Sequence, residues 1–283
     1  MTAIRGRHNH PEPLFGAAPS WASKPFNVCR MRLADEDRYL NIVMAGFFQL
    51  QQLPDLIETV GDDDIDEDTR QAVRDDAAWI SKEENDGFPV LHAHAVVGIW
   101  SAIEVLAEDF AIAWLRNRSV AWDKPEIAKL KIPIRQYNQL RDDERSRFVV
   151  LELGRMIGAD LRRGVGKLTS LLSVFGLAPM IGPNAKLALH ELCQIRNAIV
   201  HCGGLADKKL IEECPHLGFR SGQRIRINHK LYLWYHKAAN CFAERVAHEA
   251  LLALELPGCN CPGAEEIECR PRATGRRASR RIK

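Results

Sequence analysis

Residues 91–116 read LHAHAVVGIWSAIEVLAEDFAIAWLR. A run this long and this apolar predicts a helix at the centre of a core rather than on a surface. Its apolar heart, Ala95 to Ile103, is followed at once by Glu104, Glu108 and Asp109, so it falls short of a membrane span. His92 and His94 form an HxH pair that could ligate a metal on a strand. On a helix two residues apart they point to different sides, so they read as ordinary helix histidines and no metal is assigned to them.

Working outward, helical spacing dominates. Toward the N-terminus, Thr69 to Ser81 reads as a helix, and so does Asp35 to Val60, with Leu40, Val43, Phe47 and Leu50 on one face and Gly61 as its stop. Residues 1–30 hold Pro11, Pro13, Pro19 and Pro25 with Gly6 and Gly16, which predicts an irregular arm, and residues 31–87 then form an N-terminal helical extension. The acidic run Asp62 to Asp68 lacks the glycine turn and terminal glutamate of a calcium loop and reads as a solvated, helix-capping segment. Toward the C-terminus, Asp123 to Pro133 is a connector and Leu140 to Leu161 is helical. GVGKLTSLL at Gly164 to Leu172 resembles a phosphate loop only briefly, because the position where a Walker A motif needs its first glycine is Leu161. It reads instead as a turn feeding a helix that ends near Phe175.

Asn184 is placed to cap a further helix that runs to His201 and is closed by Gly203 and Gly204. A short helix near Lys208 to Glu213 follows, and Gly222 to Asn228, GQRIRIN, alternates enough for at most one small β-hairpin. The last helix, about His229 to Leu256, is expected to bury Leu233, Ala239, Phe242, Val246, Leu251 and Leu254 before Pro257 and Gly258 end it. The sum is an all-α chain, a helical bundle with too little strand for a sheet.

The chain has 283 residues, 46% hydrophobic, enough to bury a substantial core. Its net charge of +2 is uneven: the last fourteen residues hold seven basic ones, leaving 32 basic against 37 acidic residues in the rest. Residues 257–283 read as a basic disordered tail, whose Arg276, Arg277, Arg280 and Arg281 would add salt-dependent affinity for nucleic acid without specificity. Of the eight cysteines, Cys259, Cys261 and Cys269 lie in that tail without paired CxxC knuckles, so a zinc site is not assigned. The N-terminus has no apolar segment of a secretory signal, and a cytoplasmic location with reduced cysteines is the expectation.

One constellation carries chemistry. Arginine five residues before histidine occurs three times, at Arg5 and His10, Arg196 and His201, and Arg224 and His229. Only Arg196 sits in a strong helical pattern with a polar residue, Asn197, after it. At about 100° per residue, Ala188, Leu192, Ile195 and Ile199 form the packing face. Asn197 and His201 lie nearly opposite, one turn apart, with Arg196 on the flank. Without more, these residues also fit a solvated helix face with a histidine near the C-terminus, where the dipole favours a cation.

ELCQIRNAIVHCGG at 191–204 resembles the signature helix of the HEPN superfamily, in which RN, a few apolar residues and H close the last long helix of a small bundle. The likeness covers about residues 88–256: an earlier helix like WSAIEVLAEDFAIAWL, a turn and helix like GKLTSLLSVFGL, and a G..I.I segment before the final helix. It implies a metal-free, cofactor-free endoribonuclease acting on RNA as a homodimer whose motif helices face each other. Arg196, Asn197 and His201 would be its catalytic residues, with Glu104 on the neighbouring helix as a supporting group or simply as a partner for Arg196. It also implies two other readings. One is a non-catalytic HEPN-like module for dimerisation or nucleic-acid binding. The other is a toxin-like or defence nuclease restrained by an inhibitory partner protein.

Overall fold

The computed structural model describes residues 18–61, 65–159, 164–256 and residue 267. Its helices run in the order α1 (Ser20–Leu50), α2 (Leu53–Val60), α3 (Glu67–Asn85), α4 (Pro89–Asn117), α5 (Pro125–Ala128), α6 (Ile134–Gln139), α7 (Asp142–Ala159), α8 (Val165–Val174), α9 (Pro183–His201), α10 (Lys208–Glu213) and α11 (His229–Ala253). The protein is all-α, and the described residues include no strand, only an isolated antiparallel bridge between Leu205 and Arg224. The GQRIRIN segment thus pairs with the turn after α9, not with its own neighbour in a hairpin, and it clips that turn in place through Ala206 N–H to Gln223 O, 2.8 Å, and Ile225 N–H to Gly204 O, 2.8 Å.

Helix α4 is central because it is apolar on nearly every side: Val96, Ile99, Ile103, Leu106, Phe110 and Leu115 are all buried. It starts sharply, with Gly87 and Phe88 at positive φ turning the chain and Pro89 at the first helical position. By length and composition α4 could cross a membrane, but half of its most apolar stretch is buried against α1, α7, α8, α9 and α11. Fully burying a Leu or Phe side chain contributes roughly 1.5–3 kcal/mol, so α4 anchors the bundle.

Helix α1 departs most from the sequence expectation. It begins at Ser20, inside the stretch that proline content marks as irregular, and carries Pro25 within it. Phe26, Cys29, Leu33 and Leu40 are buried and belong to the same core as α4 and α11, so the boundary drawn at residue 30 falls inside a helix, and the extension is part of one core. Packing outweighs the cost of one proline near a helix start. The expected face fares less well further on: Leu40 is buried, Val43 and Phe47 are half-buried, and Leu50 is exposed. The chain breaks at Gln51 and Gln52 before Pro54, and Gly61 closes α2 in the left-handed region, as expected.

Smaller differences have local causes. Asp66 of the acidic run does cap α3, accepting from Thr69 N–H at 2.7 Å. Asn184 does not cap α9. Gly182 holds that position, and the Asn184 amide donates to the carbonyl of Ile267 at 3.0 Å, so the chain past residue 257 touches the bundle at that residue. Leu233 is exposed, because Tyr232, Trp234 and Tyr235 take the buried face of α11. The arm at residues 1–17, Asp62 to Asp64, Leu161, Pro257 and Gly258, the three tail cysteines and Arg276, Arg277, Arg280 and Arg281 lie outside the described residues. The described cysteines, Cys29, Cys193, Cys202, Cys214 and Cys241, are free thiols.

His92 is fully buried where α4 meets α11. Its Nδ1 lies 2.8 Å from the Phe88 carbonyl and must carry the proton, so its Nε2 accepts from Nδ1 of His229, 3.2 Å away. Burial, and then the neighbouring His229, hold the imidazole below its ordinary value, against the pull of the Phe88 carbonyl. The unfolded chain therefore binds this proton more readily than the folded one. The His92 contribution is complete above the ordinary histidine value of about 6.5, is lost as pH falls through it, and levels off below the folded value. The expected result is a urea midpoint that drops between about pH 7.5 and about pH 5.5 in the wild type and drops less in His92→Asn, the difference never exceeding about 1.4 kcal/mol per pH unit. Equal slopes for the two proteins would remove His92 as the cause.

Candidate functional site

Helix α9 crosses the core against α4, α8 and α11, and its buried residues, among them Ala188, Leu192, Cys193, Ile195 and Ala198, cover more than one face. From Glu191 to Ile195 every side chain is buried, and polar side chains become partly accessible again from Arg196 on, near its C-terminal end. There the helix closes with Gly203 and Gly204, both at positive φ, and Gly204 N–H reaches back to the Ala198 carbonyl at 3.3 Å. That return bond is why glycine is needed here, and it leaves His201 as the last helical residue, exposed at the rim.

Arg196 lies on the flank facing α4. Its guanidinium bonds Glu104 Oε2 at 3.2 Å and Asn197 Oδ1 at 3.1 Å, so the cation is held by an ion pair on one side and by the neighbouring amide on the other. Arg196 Nε is buried with no hydrogen-bond partner among the described residues. The Asn197 amide in turn donates to Cys193 Sγ at 3.6 Å. Burial first, and then the charge of Glu104, push the Cys193 thiol up to about 11, so it is a neutral acceptor and not a nucleophile.

Asn197 and His201, one turn apart, line a recess of about 320 Å³ together with Gln194, Cys202, Asp207 and Lys209. The recess is walled on one side by α9 and on the other by the start of α10, where Asp207 accepts from Leu210 N–H at 2.8 Å and caps that helix. Burial and the Asp207 carboxylate raise the Cys202 thiol above its ordinary range. The sequence-derived set is therefore brought together in a chain: Glu104 orients Arg196, Arg196 holds Asn197, and Asn197 shares the recess with His201. Arg196 itself lies beside the recess.

Among the described residues, the other Arg and His pair, Arg224 and His229, does not form such a site. Arg5 and His10 lie outside the described residues. His229 is engaged with His92, while Arg224 lines a separate recess with His94 and the glycine turn. Sequence reading missed Gln194, Asp207 and Lys209. Gln194 was within reach of it, since 194, 197, 198 and 201 follow the i, i+3, i+4, i+7 spacing of a single helix face.

Fold and site together define an all-α protein with an Arg-Asn and His constellation at the open end of a core helix. Comparison with family models, with curated proteins and with solved structures finds no match.

Proposed function

We propose that the chain is a metal-independent endoribonuclease of the HEPN type, acting on RNA in the cytoplasm as a homodimer. What carries the reading is the end of α9, where His201 stands free at the rim of a recess while Arg196, one helix position from Asn197, is pre-oriented by Glu104. A reaction that needs a proton acceptor beside a fixed cation is served by that arrangement. The RNA 2′-oxygen bonds to the adjacent phosphorus as the imidazole of His201 takes its proton. The P–O5′ bond then breaks, and the leaving O5′ is protonated by water or by the same imidazole in a second copy. Arg196 stabilises the charge on the non-bridging phosphate oxygens, since a guanidinium offers more donors than Glu104 and Asn197 occupy.

Val200 and Leu205, 49% and 44% exposed, flank His201 and supply apolar surface on which a second copy of the chain can close the recess. One observation favours the alternative of a non-catalytic HEPN-like binding or dimerisation module: Glu104 already neutralises Arg196.

The test is to incubate the purified protein with total RNA, and with DNA, in EDTA and to characterise the ends. The expected products are RNA fragments with 2′,3′-cyclic phosphate and 5′-hydroxyl termini, with DNA intact. Cleavage of DNA, or cleavage abolished by EDTA, would overturn the mechanism, and no cleavage at all would favour the binding module.

A further inference from the structure

The face that carries Asn197 and His201 extends one turn deeper than the chemistry requires. Gln194, at its inner end, is 2% exposed, lines the recess, and has its Nε2 buried without a hydrogen-bond partner among the described residues. A buried amide donor left unpaired is costly, and a leucine of similar size would fill the same space without that cost. The other polar groups of the recess are partly committed. Asn197 bonds Arg196 and Cys193, while Asp207 accepts from Leu210 N–H through one oxygen and from Cys202 through the other, at 3.7 Å. Each carboxylate oxygen keeps a second acceptor site. Lys209 has no ion pair among the described residues.

A donor held unpaired at the base of a recess, beside a carboxylate acceptor and a free cation, matches one chemical edge well. We infer that the recess takes a single unstacked nucleobase and reads its lactam edge, the ring carbonyl beside a ring N–H that guanine and uracil share. Gln194 Nε2–H donates to the carbonyl, the Asp207 carboxylate accepts from the ring N–H, and Lys209 contacts the phosphate of the same nucleotide. Adenine and cytosine place an amino group where the lactam has its carbonyl, so donor meets donor and Gln194 stays unpaired. Sites built to hydrogen-bond one group discriminate strongly against analogues that lack it, and RNA readers characteristically act on unstacked bases in this way. The inference rests on RNA being the substrate, and it adds base selectivity at the cleavage position.

The experiment is equilibrium binding of 3′-GMP, 3′-UMP, 3′-AMP and 3′-CMP to the intact wild type, to Gln194→Leu and to Asp207→Asn, none of which needs cleavage. Gln194→Leu keeps the volume and removes the donor. Asp207→Asn keeps a good helix cap while changing the acceptor, and circular dichroism confirms that each variant is folded. The wild type is expected to bind GMP and UMP about 10- to 100-fold more tightly than AMP and CMP, with the preference lost in both variants. Equal affinity for all four nucleotides, no saturable binding of any, or a preference that survives Gln194→Leu would overturn the proposal. Cleavage of a mixed-sequence RNA is read separately. Cutting without base preference sinks the base pocket and leaves the nuclease standing, whereas selective binding without cutting does the reverse.

Discussion

Replacing His201 by alanine is expected to slow RNA cleavage by about 10²- to 10⁴-fold, the range for loss of a positioned proton-transfer group, while barely affecting the fold. The structural half of that statement follows from its place. His201 is exposed, makes no side-chain hydrogen bond among the described residues, and is the last residue of α9. Its contribution to stability is then limited to the helix-terminus interaction of a cation, about 0.3–1 kcal/mol when protonated. Arg196→Ala is expected to cost about 10²- to 10³-fold, with a small added loss of stability because Glu104 forfeits its partner in a partly exposed pair. Arg196→Lys should not recover the rate, since an ammonium cannot keep the Glu104 and Asn197 contacts and still present a planar fork to phosphate. Rates are to be measured on one RNA with each variant at matched concentration and with its helical content verified. Full activity in His201→Ala would place the chemistry elsewhere. Equal losses in all three variants together with lost helicity would show damage to the bundle instead.

The parts of this fold that could be read from sequence are those where one local rule dominates. Helix α4 was legible because it is apolar on nearly every side, and the end of α9 because two glycines follow a strong helical pattern. The start of α1 was not. Four prolines and two glycines in thirty residues outvoted Phe26, Cys29 and Leu33, whose 3.6-residue spacing marks a buried stripe. Tertiary contact with α4 and α11 decides that contest, and it is invisible locally. At the site, spacing alone placed Asn197 above His201 and put Arg196 on the flank. The Glu104 contact depends on how α4 crosses α9, and was no more than a guess from sequence. Gln194 was passed over because its place on the face of Asn197 and His201, though readable from spacing, gains meaning only with its burial.

The buried carboxyl group of α9 leads to the largest expected stability effect. Glu191, five residues before Arg196, is completely buried, and its carboxylate accepts from His216 Nε2 at 2.7 Å and from Tyr235 O–H at 2.9 Å. It thereby ties the motif helix both to α11 and to the Pro215–Leu217 turn that follows α10. His216 is 38% exposed, so His216→Ala removes little packed volume, yet it takes a hydrogen-bond partner at 2.7 Å from a fully buried carboxyl group. Leaving a buried polar group short of a partner costs about 1–3 kcal/mol, and the Tyr235 bond that Glu191 keeps puts the expected loss at about 2 kcal/mol. The double variant Glu191→Met with His216→Ala removes the carboxyl group along with this partner and should be more stable than His216→Ala alone by at least about 1 kcal/mol, because a flexible apolar side chain fills the same site without a buried polar group left short of a partner. Urea unfolding of the three proteins at neutral pH measures both differences. If the double variant is the less stable of the two, the remaining contacts of Glu191, the Tyr235 bond among them, outweigh the lost partner, and His216 is not what makes the carboxyl group tolerable in the core.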